Sequence, residues 1–444
     1  MAPARVISRL FLRQLSCLSH RVINPLALDL IMPPSTPSSI SRADYPLLLD
    51  IADRFGTPTY AYFESVIEDR VRKLKSHLEG LPLQLLYAMK ANHAIPVMEK
   101  IRDEGLGIDA VSPAELILAL RLGFEKDRIL FSANNMTDDE MHLAVKNGVI
   151  LNVGELSRLE AFGKAYPGAS VCVRLNPQIG AGHHEHVITA GEKSKFGIPV
   201  EQIDEIHRIT AEYDIHVAGL HQHIGSGILD TSTLWRAISV ILDASQSFRQ
   251  LRFINVGGGL GVPYQPEESG LDMEHFESMI VQPLKAFIDS HASRNLSIWF
   301  EPGRYFTAES GVLLASVNTV KQSTTRTFAG TDSGMNHLVR PSMYSAYHRV
   351  LNLSNPDGSP KKYDVVGNIC ESSDFFAKER MVAELAEGDV VGVMDTGAYG
   401  ISMATMYNLR SLPAEVWVDS NGDPHLIRDR KTPEQMVNEV FEAR

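Results

Sequence analysis

The feature that most limits what this chain can fold into is an alternation of strand-like and helix-like segments that begins at Leu83. Eight short apolar or β-branched runs are separated by stretches of helical periodicity, which is typical of a parallel sheet with crossover helices. The runs end near Ala91, Ser112, Asn134, Gly154, Pro177, Gly225, Gly259 and Arg304. Eight such units in one stretch favour an α/β fold closed into a (β/α)8 barrel of the TIM type, and an open doubly wound sheet is the less favoured alternative.

The segments between the runs carry helix boundary signals. Ser112 precedes PAELILALRL as a candidate N-cap, and Gly123 follows that stretch as a candidate stop. Thr137 stands in the same relation to DDEMHLAVKN. We therefore predict a helix in each of these two segments.

A second region follows the barrel. After about Gly311 the helical alternation stops, and strand-like runs separated by Gly, Asp and Asn turns predict a mostly antiparallel β domain, a sandwich or a barrel. The earlier segment Pro58 to Phe63 is a candidate additional strand of this domain. A length of 444 residues suits two domains better than one core. The predicted division is a leader and linker over 1–42, an N-terminal segment contributing to the β domain over 43–64, the barrel over 65–310 and the β domain over 311–444.

Composition argues against some classes of function. The net charge is −12, and both nucleic-acid binders and proteins bound to anionic membranes need basic surface. No apolar run reaches the roughly 18 residues of a membrane-spanning helix. The cysteines Cys17, Cys172 and Cys370 are far apart and odd in number, which predicts a reducing compartment and no disulfide framework.

The N-terminal stretch differs from the rest of the chain. Arginines recur there among leucines and serines, and no acidic residue occurs before Asp29. This composition is typical of a leader that directs a protein to a mitochondrion or plastid. The alternatives are a disordered tail or a mispredicted start, with Met32 as the candidate true start. Without a leader we expect a cytoplasmic protein.

Residues suited to chemistry collect at the ends of the predicted strands, where a barrel places its active site. They are Lys90, Asp109, Arg174, His223, Gly257, Gly258, Gly259, Glu301 and Arg304. Lys90 has apolar neighbours in YAMKAN, and a lysine desolvated in this way loses its proton more easily and can attack carbonyls. Taken alone it is more simply explained as a lysine reaching solvent from a strand end. The residues at the other strand ends favour the catalytic interpretation.

The other motifs each have two interpretations. The run Gly257 to Gly259 lets backbone N–H groups approach an anion closely, or it only makes a tight turn. Glu301 could face a ring nitrogen and keep it protonated, or it could pair with Arg304. His221 and His223 point the same way on a strand and could bind a metal, but no third ligand stands out. We predict no metal, and stacking on a planar cofactor is the favoured use of His223.

Six motifs together resemble one family. YAMKAN, HIGSG, GGGLGVPY, EPGR, CESSD and DTGAYG have the order and spacing of the alanine-racemase-like (fold type III) decarboxylases that use pyridoxal phosphate, PLP. The resemblance runs from about residue 45 to the C-terminus. It implies PLP as the cofactor, with Lys90 as the Schiff-base lysine, His223 stacked on the pyridine ring and Glu301 beside the ring nitrogen. It also implies that the cofactor is contacted by Asp109, Arg174, Ser226, Gly257, Gly258, Gly259 and Tyr399.

The CESSD motif matches a pair of residues that the neighbouring subunit supplies in this family. The resemblance therefore implies a homodimer with shared active sites, in which Cys370 is catalytic and Glu371 binds substrate. The expected small-molecule partner is an amino acid, with no nucleic acid and no membrane.

The substrate prediction rests on residues 333–348, SGMNHLVRPSMYSAYH. Arg340 and Tyr344 match positions of the branch that acts on diaminopimelate, where, with Arg304, they hold the distal end of the substrate. Tyr399, matched to a tyrosine near the cofactor phosphate, is also expected to bind substrate. Arginine suits a distal carboxylate because it pairs with it bidentately, whereas a distal ammonium would need acidic partners. The resemblance thus implies decarboxylation of meso-2,6-diaminopimelate to L-lysine and carbon dioxide.

Some positions depart from the family pattern, namely His337, Asn368 and Ser373, and they leave the substrate more open than the reaction. A decarboxylase of another amino acid, of the ornithine or arginine type, is the first alternative. An amino-acid racemase shares the barrel but not the CESSD and RPSMY elements. A non-catalytic homologue that binds a partner protein is disfavoured, because the lysine, glutamate and cysteine are all present.

Overall fold

The computed structural model describes residues 40–182, 189–191, 194–293 and 295–443. The predicted leader therefore lies almost wholly outside the described residues. The described part begins with α1 (Tyr45–Phe55) and β1 (Thr59–Phe63). None of its helices combines the length and the apolar character needed to cross a membrane.

Eight parallel strands close into a barrel. They are β2 (Leu83–Ala88), β3 (Gly107–Ala110), β4 (Ile129–Phe131), β5 (Ile150–Val153), β6 (Ser170–Asn176), β8 (His216–His221), β9 (Phe253–Asn255) and β10 (Ser297–Phe300). The ring closes where Ile298 of β10 lies opposite Leu83 of β2 and where Asn152 of β5 lies opposite Cys172 of β6. A short strand, β7 (Ile198–Pro199), pairs with β6 outside the ring. The predicted closed barrel is confirmed, and the open sheet is excluded.

Helices connect the barrel strands and pack around them. They are α2 (Glu64–His77), α3 (Ile95–Asp103), α4 (Pro113–Arg121), α5 (Asp138–Asn147), α6 (Leu156–Ala165), α7 (Ile203–Glu212), α8 (Thr231–Ser245), α9 (Met273–Phe276), α10 (Gln282–Ser290) and α11 (Arg304–Thr307). The Ser112 hydroxyl accepts the N–H of Glu115 at the start of α4, and Gly123, just past its end, has φ of +81°. Thr137 and Glu140 form a capping box on α5. Both predicted helices are confirmed.

The remaining strands form a second, mostly antiparallel sheet. They are β11 (Gly311–Gln322), β12 (Thr327–Thr331), β13 (Val350–Asn352), β14 (Pro360–Val366), β15 (Phe375–Ala383), β16 (Val390–Val393), β17 (Ala414–Val418) and β18 (Pro424–Arg428), with helices α12 (Arg340–Tyr344) and α13 (Pro433–Glu442). The order is β15-β14-β12-β11-β1-β17-β18, and β16 joins β13 to β11. Thr59 of β1 lies opposite both Leu314 and Ala414, so a strand that precedes the barrel is central to this sheet.

The inside of the barrel has an apolar layer near the amino-terminal ends of the strands. It consists of Leu86, Leu130, Cys172, Phe253 and Trp299. The rings of Phe253 and Trp299 stack with their centres 3.9 Å apart. This layer fills the barrel interior below the carboxyl-terminal ends of the strands, which is the end where barrels place their active sites.

Candidate active site

A ring of polar side chains lies over the apolar layer. Each member follows an inward-facing residue by two positions along its strand, and residues two apart on a strand point to the same side. The members are Asp109, Asn152, Arg174, His221, Asn255 and Glu301, and all are buried. Lys90, His223 and the glycine run follow their strands at the same end. The structure thus brings together the residues that the sequence places at the strand ends.

Lys90 lies in a short 3-10 turn, Met89–Ala91, directly after β2. Its Nζ is 2.8 Å from Oδ2 of Asp109. The other carboxylate oxygen of Asp109, Oδ1, is buried and has no hydrogen-bond partner among the described residues. Leaving such an atom unpaired costs about 1–3 kcal/mol, so this oxygen is suited to accept a hydrogen bond from a ligand.

The protonation of Lys90 differs from the prediction. Burial lowers the pKa of Lys90, but Asp109, Tyr399 and Glu301 raise it by more, and the net pKa is above the ordinary value. The expectation of an easily deprotonated lysine is therefore wrong, because a carboxylate directly contacts the ammonium. In this arrangement Lys90 is an ion-paired cation.

Glu301 is held by one donor on each oxygen. Oε1 is 3.0 Å from Nε2 of His221, and Oε2 accepts a hydrogen bond of 3.0 Å from Nδ2 of Asn255. Burial raises the pKa of Glu301, but His221 and His223 lower it by more, to about 2. Arg304 is not a partner of Glu301 among the described residues, so the ion-pair interpretation is wrong. Glu301 is an ionised carboxylate inside the barrel.

His221 is oriented in turn by Asn152. Nδ2 of Asn152 donates to Nδ1 of His221 at 2.8 Å and to the Ser132 hydroxyl at 3.0 Å. Because Nδ1 accepts, Nε2 carries the ring proton and donates it to the glutamate. Asn152, Asn255 and Ser132 are not among the residues predicted from the sequence, and His221 is predicted there only as a possible metal ligand. The signal that could have found them is a polar residue inside an otherwise apolar strand.

His223 is a neutral imidazole beside this carboxylate. Burial lowers its pKa to about 3. The Gly258 N–H donates to His223 Nδ1 at 3.3 Å, which fixes the orientation of the ring. The same Nδ1 is 3.9 Å from Oε1 of Glu301. A flat, uncharged ring held in this way is suited to stacking on a planar ligand.

The glycine run passes too close to its neighbours for any side chain. A Cβ at Gly257, where φ is +85°, would lie 2.4 Å from the carbonyl oxygen of Gln222, and one at Gly258 would lie 2.3 Å from that of Glu301. The Gly257 N–H already donates to Asn255, and the Gly258 N–H donates to the imidazole described above. Of the three N–H groups that the sequence suggests for an anion, only that of Gly259 has no acceptor within the described residues.

Arg304 joins the predicted phosphate side to the substrate side. Its Nε and Nη2 donate to the Ser226 hydroxyl at 3.2 and 3.0 Å, and its Nη1 donates to the Tyr264 hydroxyl at 2.8 Å. The guanidinium also lies 4.8 Å from the ring centre of Tyr399. The Tyr399 N–H donates to the carbonyl of Ala91, in the turn that carries the lysine. The structure therefore places Ser226, Arg304 and Tyr399 in one cluster.

Arg340 is a buried cation without an acidic partner. It is 1% exposed, and none of the described carboxylates forms an ion pair with it. Its Nη1 contacts Nε2 of His348 at 2.9 Å, whereas Nη2 has no hydrogen-bond partner within the described part of the chain. Together with Tyr264 and Tyr344 it lines a cavity of about 560 Å³. Burying an unpaired charge is costly, so this cavity favours an anionic ligand.

Cys370 and Glu371 lie apart from this cluster. They occupy an exposed segment between β14 and β15, and Glu371 Oε1 accepts a hydrogen bond of 2.6 Å from the Tyr407 hydroxyl. Among the described residues, no hydrogen bond or ion pair links either of them to Lys90 or Glu301. Arg174, by contrast, is in the polar ring, where its Nη2 is 3.5 Å from the carbonyl oxygen of His223.

Comparison with known proteins gives this arrangement a family. The family model described as pyridoxal-dependent decarboxylase, pyridoxal binding domain, matches residues 64–308. A diaminopimelate decarboxylase of Methanothermobacter thermautotrophicus is 42% identical over 393 residues, which cover 86% of this chain and 91% of that protein. The chain belongs to the diaminopimelate decarboxylase family. It is therefore a PLP-dependent amino-acid decarboxylase, and the resemblance based on six motifs is confirmed.

Solved structures of the diaminopimelate decarboxylase family agree with this assignment. A crystal structure of diaminopimelate decarboxylase matches with a TM-score of 0.84 and 32% identity, covering 92% of this chain and 99% of that one. The Helicobacter pylori enzyme, in complex with L-lysine, matches with a TM-score of 0.81 and 30% identity over 89% of this chain and all of its own. The predicted fold class, a PLP-carrying barrel with a mostly antiparallel β domain, is confirmed.

The residues of the site fit the cofactor of this family. PLP has a ring nitrogen, a phosphate and an aldehyde, and the site offers a counterpart to each. Glu301 is an ionised carboxylate, Gly259 has an N–H with no acceptor among the described residues, and Lys90 is an amine. The unpaired Oδ1 of Asp109 adds an acceptor for a polar substituent. The predicted cofactor is thus consistent with the chemistry of these donors and acceptors.

Proposed function

We propose that this chain converts meso-2,6-diaminopimelate to L-lysine and carbon dioxide. The observation that carries the proposal is the buried guanidinium of Arg340, which lines a cavity and has no acidic partner among the described residues. Diaminopimelate keeps a carboxylate at the end that does not react, and a bidentate arginine suits it. The names of the relatives, and the L-lysine bound in the Helicobacter pylori enzyme, support this choice.

The polar ring suggests a place for each part of PLP. Lys90 would hold its aldehyde carbon, Glu301 would lie at the ring nitrogen, and His223 would lie against the ring. Gly259 and Ser226 would contact the phosphate. When bound, PLP supplies an electron sink for the pair of electrons that remains when the carboxylate leaves as carbon dioxide.

The residues of the chain prepare this chemistry in three ways. Glu301, ionised and held by His221, keeps a proton on a ring nitrogen placed against it, which deepens the sink. Asp109 stabilises the ammonium of Lys90 whenever that amine is released. Arg340 fixes the distal carboxylate, so that one α-carbon is presented to the reacting end. A proton from the ammonium of Lys90 or from a cysteine thiol would then replace the lost carboxylate on that carbon.

The proposal includes a homodimer in which Cys370 and Glu371 complete the active site of the partner subunit. In the single chain both lie on an exposed segment beside exposed apolar side chains, namely Met406, Tyr407 and Leu409. Exposed apolar surface of this kind favours a protein interface. A thiol carried on such an interface can reach a second active site, which its position in the single chain does not allow.

A direct comparison of substrates tests the proposed reaction. Purified PLP-loaded protein is given meso-diaminopimelate, ornithine or arginine, and carbon dioxide and amine products are measured. We expect carbon dioxide and L-lysine from diaminopimelate. Its kcat/KM should be at least about a hundredfold above that for ornithine, because ornithine has no distal carboxylate and would leave Arg340 unpaired. Equal rates with ornithine would contradict the proposal, and racemisation without carbon dioxide release would favour the racemase alternative.

A further inference from the structure

His348 is fully buried behind Arg340, on the segment between α12 and β13. Its Nδ1 is 2.8 Å from the carbonyl oxygen of Met394, and its Nε2 is 2.9 Å from Nη1 of Arg340. A carbonyl oxygen can only accept a hydrogen bond, so Nδ1 must carry the ring proton. Nε2 is then left with its lone pair towards the guanidinium. The main chain thus determines the tautomer that the arginine meets.

The charge of this histidine follows from its surroundings. Burial, together with Arg340, Arg304 and Arg380, holds the pKa of His348 well below its ordinary value, although the Met394 carbonyl acts in the opposite direction. The ring is neutral, and it therefore positions Arg340 without neutralising it.

Asp395, a buried carboxylate that is influenced by Arg340, forms its ion pair with another arginine. Burial raises the pKa of Asp395, with Arg349 as the largest opposing influence and Arg340 as a smaller one. Both oxygens of Asp395 accept hydrogen bonds of 3.2 Å from Arg349. Burial also lowers the pKa of Arg340 itself, which is the sign of a cation that lacks a counter-charge. The positive charge of Arg340 therefore remains available to a ligand in the cavity.

Tyr264 packs against both His348 and Arg340. Its ring lies edge-on to His348 at 5.2 Å between centres, and the guanidinium of Arg340 lies 4.6 Å from its centre. Its hydroxyl accepts a hydrogen bond from Arg304. The guanidinium of Arg340 is thus fixed by a neutral acceptor and a neutral ring, neither of which competes with an anion.

We infer that His348 is a positioning residue that sets the selectivity for a carboxylate at the distal end of the substrate. Its uncharged Nε2 orients Arg340 by a hydrogen bond. The positive charge of the guanidinium is therefore not neutralised and can pair with the ligand. An acidic residue in its place would hold the arginine equally well but would pair with that charge. This inference rests on the proposed function, because it assumes a substrate with a distal carboxylate.

The test compares two ligands that differ only in that carboxylate. L-Lysine, the proposed product, retains the distal carboxylate, and 1,5-diaminopentane lacks it. Their dissociation constants are measured by calorimetry on the PLP-loaded wild type and on His348→Gln, His348→Glu and His348→Leu. Glutamine and glutamate have the same shape, so their contrast tests charge alone even where the leucine variant does not fold.

We expect His348→Gln to bind L-lysine within about threefold of wild type, because the amide oxygen replaces the Nε2 acceptor. His348→Glu and His348→Leu should each weaken L-lysine binding by about tenfold or more, while binding of diaminopentane stays within about threefold. In both variants the KM for diaminopimelate should rise more than kcat falls, since the contact acts on the non-reacting end.

His337→Leu is the matched control. His337 is also buried, and its Nε2 is 3.0 Å from a main-chain carbonyl, that of Ser411. Among the described residues it has no hydrogen bond or ion pair with an arginine. It should lose stability without changing the ratio of the two dissociation constants. Unchanged L-lysine binding in His348→Glu, or an equal loss for both ligands, overturns the inference. A wild type that releases no carbon dioxide from diaminopimelate overturns the proposed function instead.

Discussion

Two charged side chains of the site are held by partners that leave their charge intact. Glu301 is held by hydrogen-bonding contacts with His221 and Asn255, and Arg340 is held by the neutral ring of His348. In a buried site a counter-ion would satisfy each charge and compete with the ligand for it, whereas a neutral hydrogen-bonding partner fixes position only. The site thus keeps one negative and one positive charge for the two ends of the bound molecules.

The first prediction concerns the pH dependence set by Glu301. In wild type its pKa is lowered to about 2, so this carboxylate stabilises the fold fully above its ordinary pKa and loses that contribution only as the pH falls towards 2. In His221→Leu burial remains while the main lowering influence is lost, so the pKa of Glu301 rises. We expect the acid limb of the kcat/KM profile to move up by at least about one pH unit.

His337→Leu is the control for that measurement, because it removes a buried imidazole that is not a partner of the carboxylate. Its acid limb should coincide with that of wild type. The absorbance of the bound cofactor, followed over the same pH range, gives a readout that does not depend on turnover. If the His221→Leu profile overlays that of wild type, His221 does not control the carboxylate.

The second prediction concerns Lys90. Lys90→Ala removes the amine that would hold the cofactor, and turnover should fall below about a thousandth of the wild-type rate, which is roughly 4 kcal/mol of barrier. Carbon dioxide release measures the loss, and the absorbance of the purified protein reports covalent attachment of PLP. Lys146→Ala, an exposed lysine near the end of α5, is the control and should retain full activity. Turnover above the stated limit in Lys90→Ala would end the scheme.

At the scale of the elements, residues that stabilise the barrel and residues suited to chemistry occupy different positions along the same strands. On β6, β9 and β10 the inward residue nearer the start of the strand belongs to the apolar layer, and the one two positions later is polar. Because side chains two apart on a strand face the same side, the same strands form both the apolar layer, here called the floor, and the ring of polar side chains above it. Changes in the floor should affect folding, whereas changes in the ring should affect the reaction.

The third prediction follows from this separation. A Cβ at Gly219, on β8, would lie 2.2 Å from the ring of Phe253, so Gly219→Ala forces the floor to shift. We expect the free energy of unfolding to fall by about 1–3 kcal/mol in urea titrations. Gly270→Ala, where the nearest atoms are 3.8 Å away, should change it by less than about 0.5 kcal/mol. Equal stabilities for the two variants would show that the floor is not tightly packed there.

At the scale of the whole molecule, sequence patterns predict the barrel, both helix caps and the strand-end cluster because each depends on neighbours within a few residues. The family match over 64–308 lies within the predicted barrel segment but for one residue at its start, 64. The contacts that tune the site could not be predicted in this way. Asn152 reaches His221, and His348 reaches Met394, only after the strands have packed. The prediction of an easily deprotonated Lys90 was wrong for the same reason, because the charge of Lys90 depends on Asp109 of the neighbouring strand.

The fourth prediction tests the shared active site of the proposed homodimer. Lys90→Ala and Cys370→Ala should each be strongly impaired alone. After the two variants are mixed, unfolded together and refolded, about half of the dimers are mixed, and each mixed dimer has one intact site. We therefore expect about a quarter of wild-type activity to return. A monomer by analytical ultracentrifugation, or no recovery from two well-folded variants, would contradict the shared site.

The position of β1 has a consequence for the order in which the protein can be made. Thr59 pairs with Leu314 and Ala414, so β1 leaves the ribosome long before either partner exists. The barrel strands that follow it can close while translation continues, but β1 must wait with both edges unpaired. A ribosome-bound chain that stops short of β11 should therefore protect its barrel from protease while Thr59–Phe63 stays open to cleavage or to a chaperone.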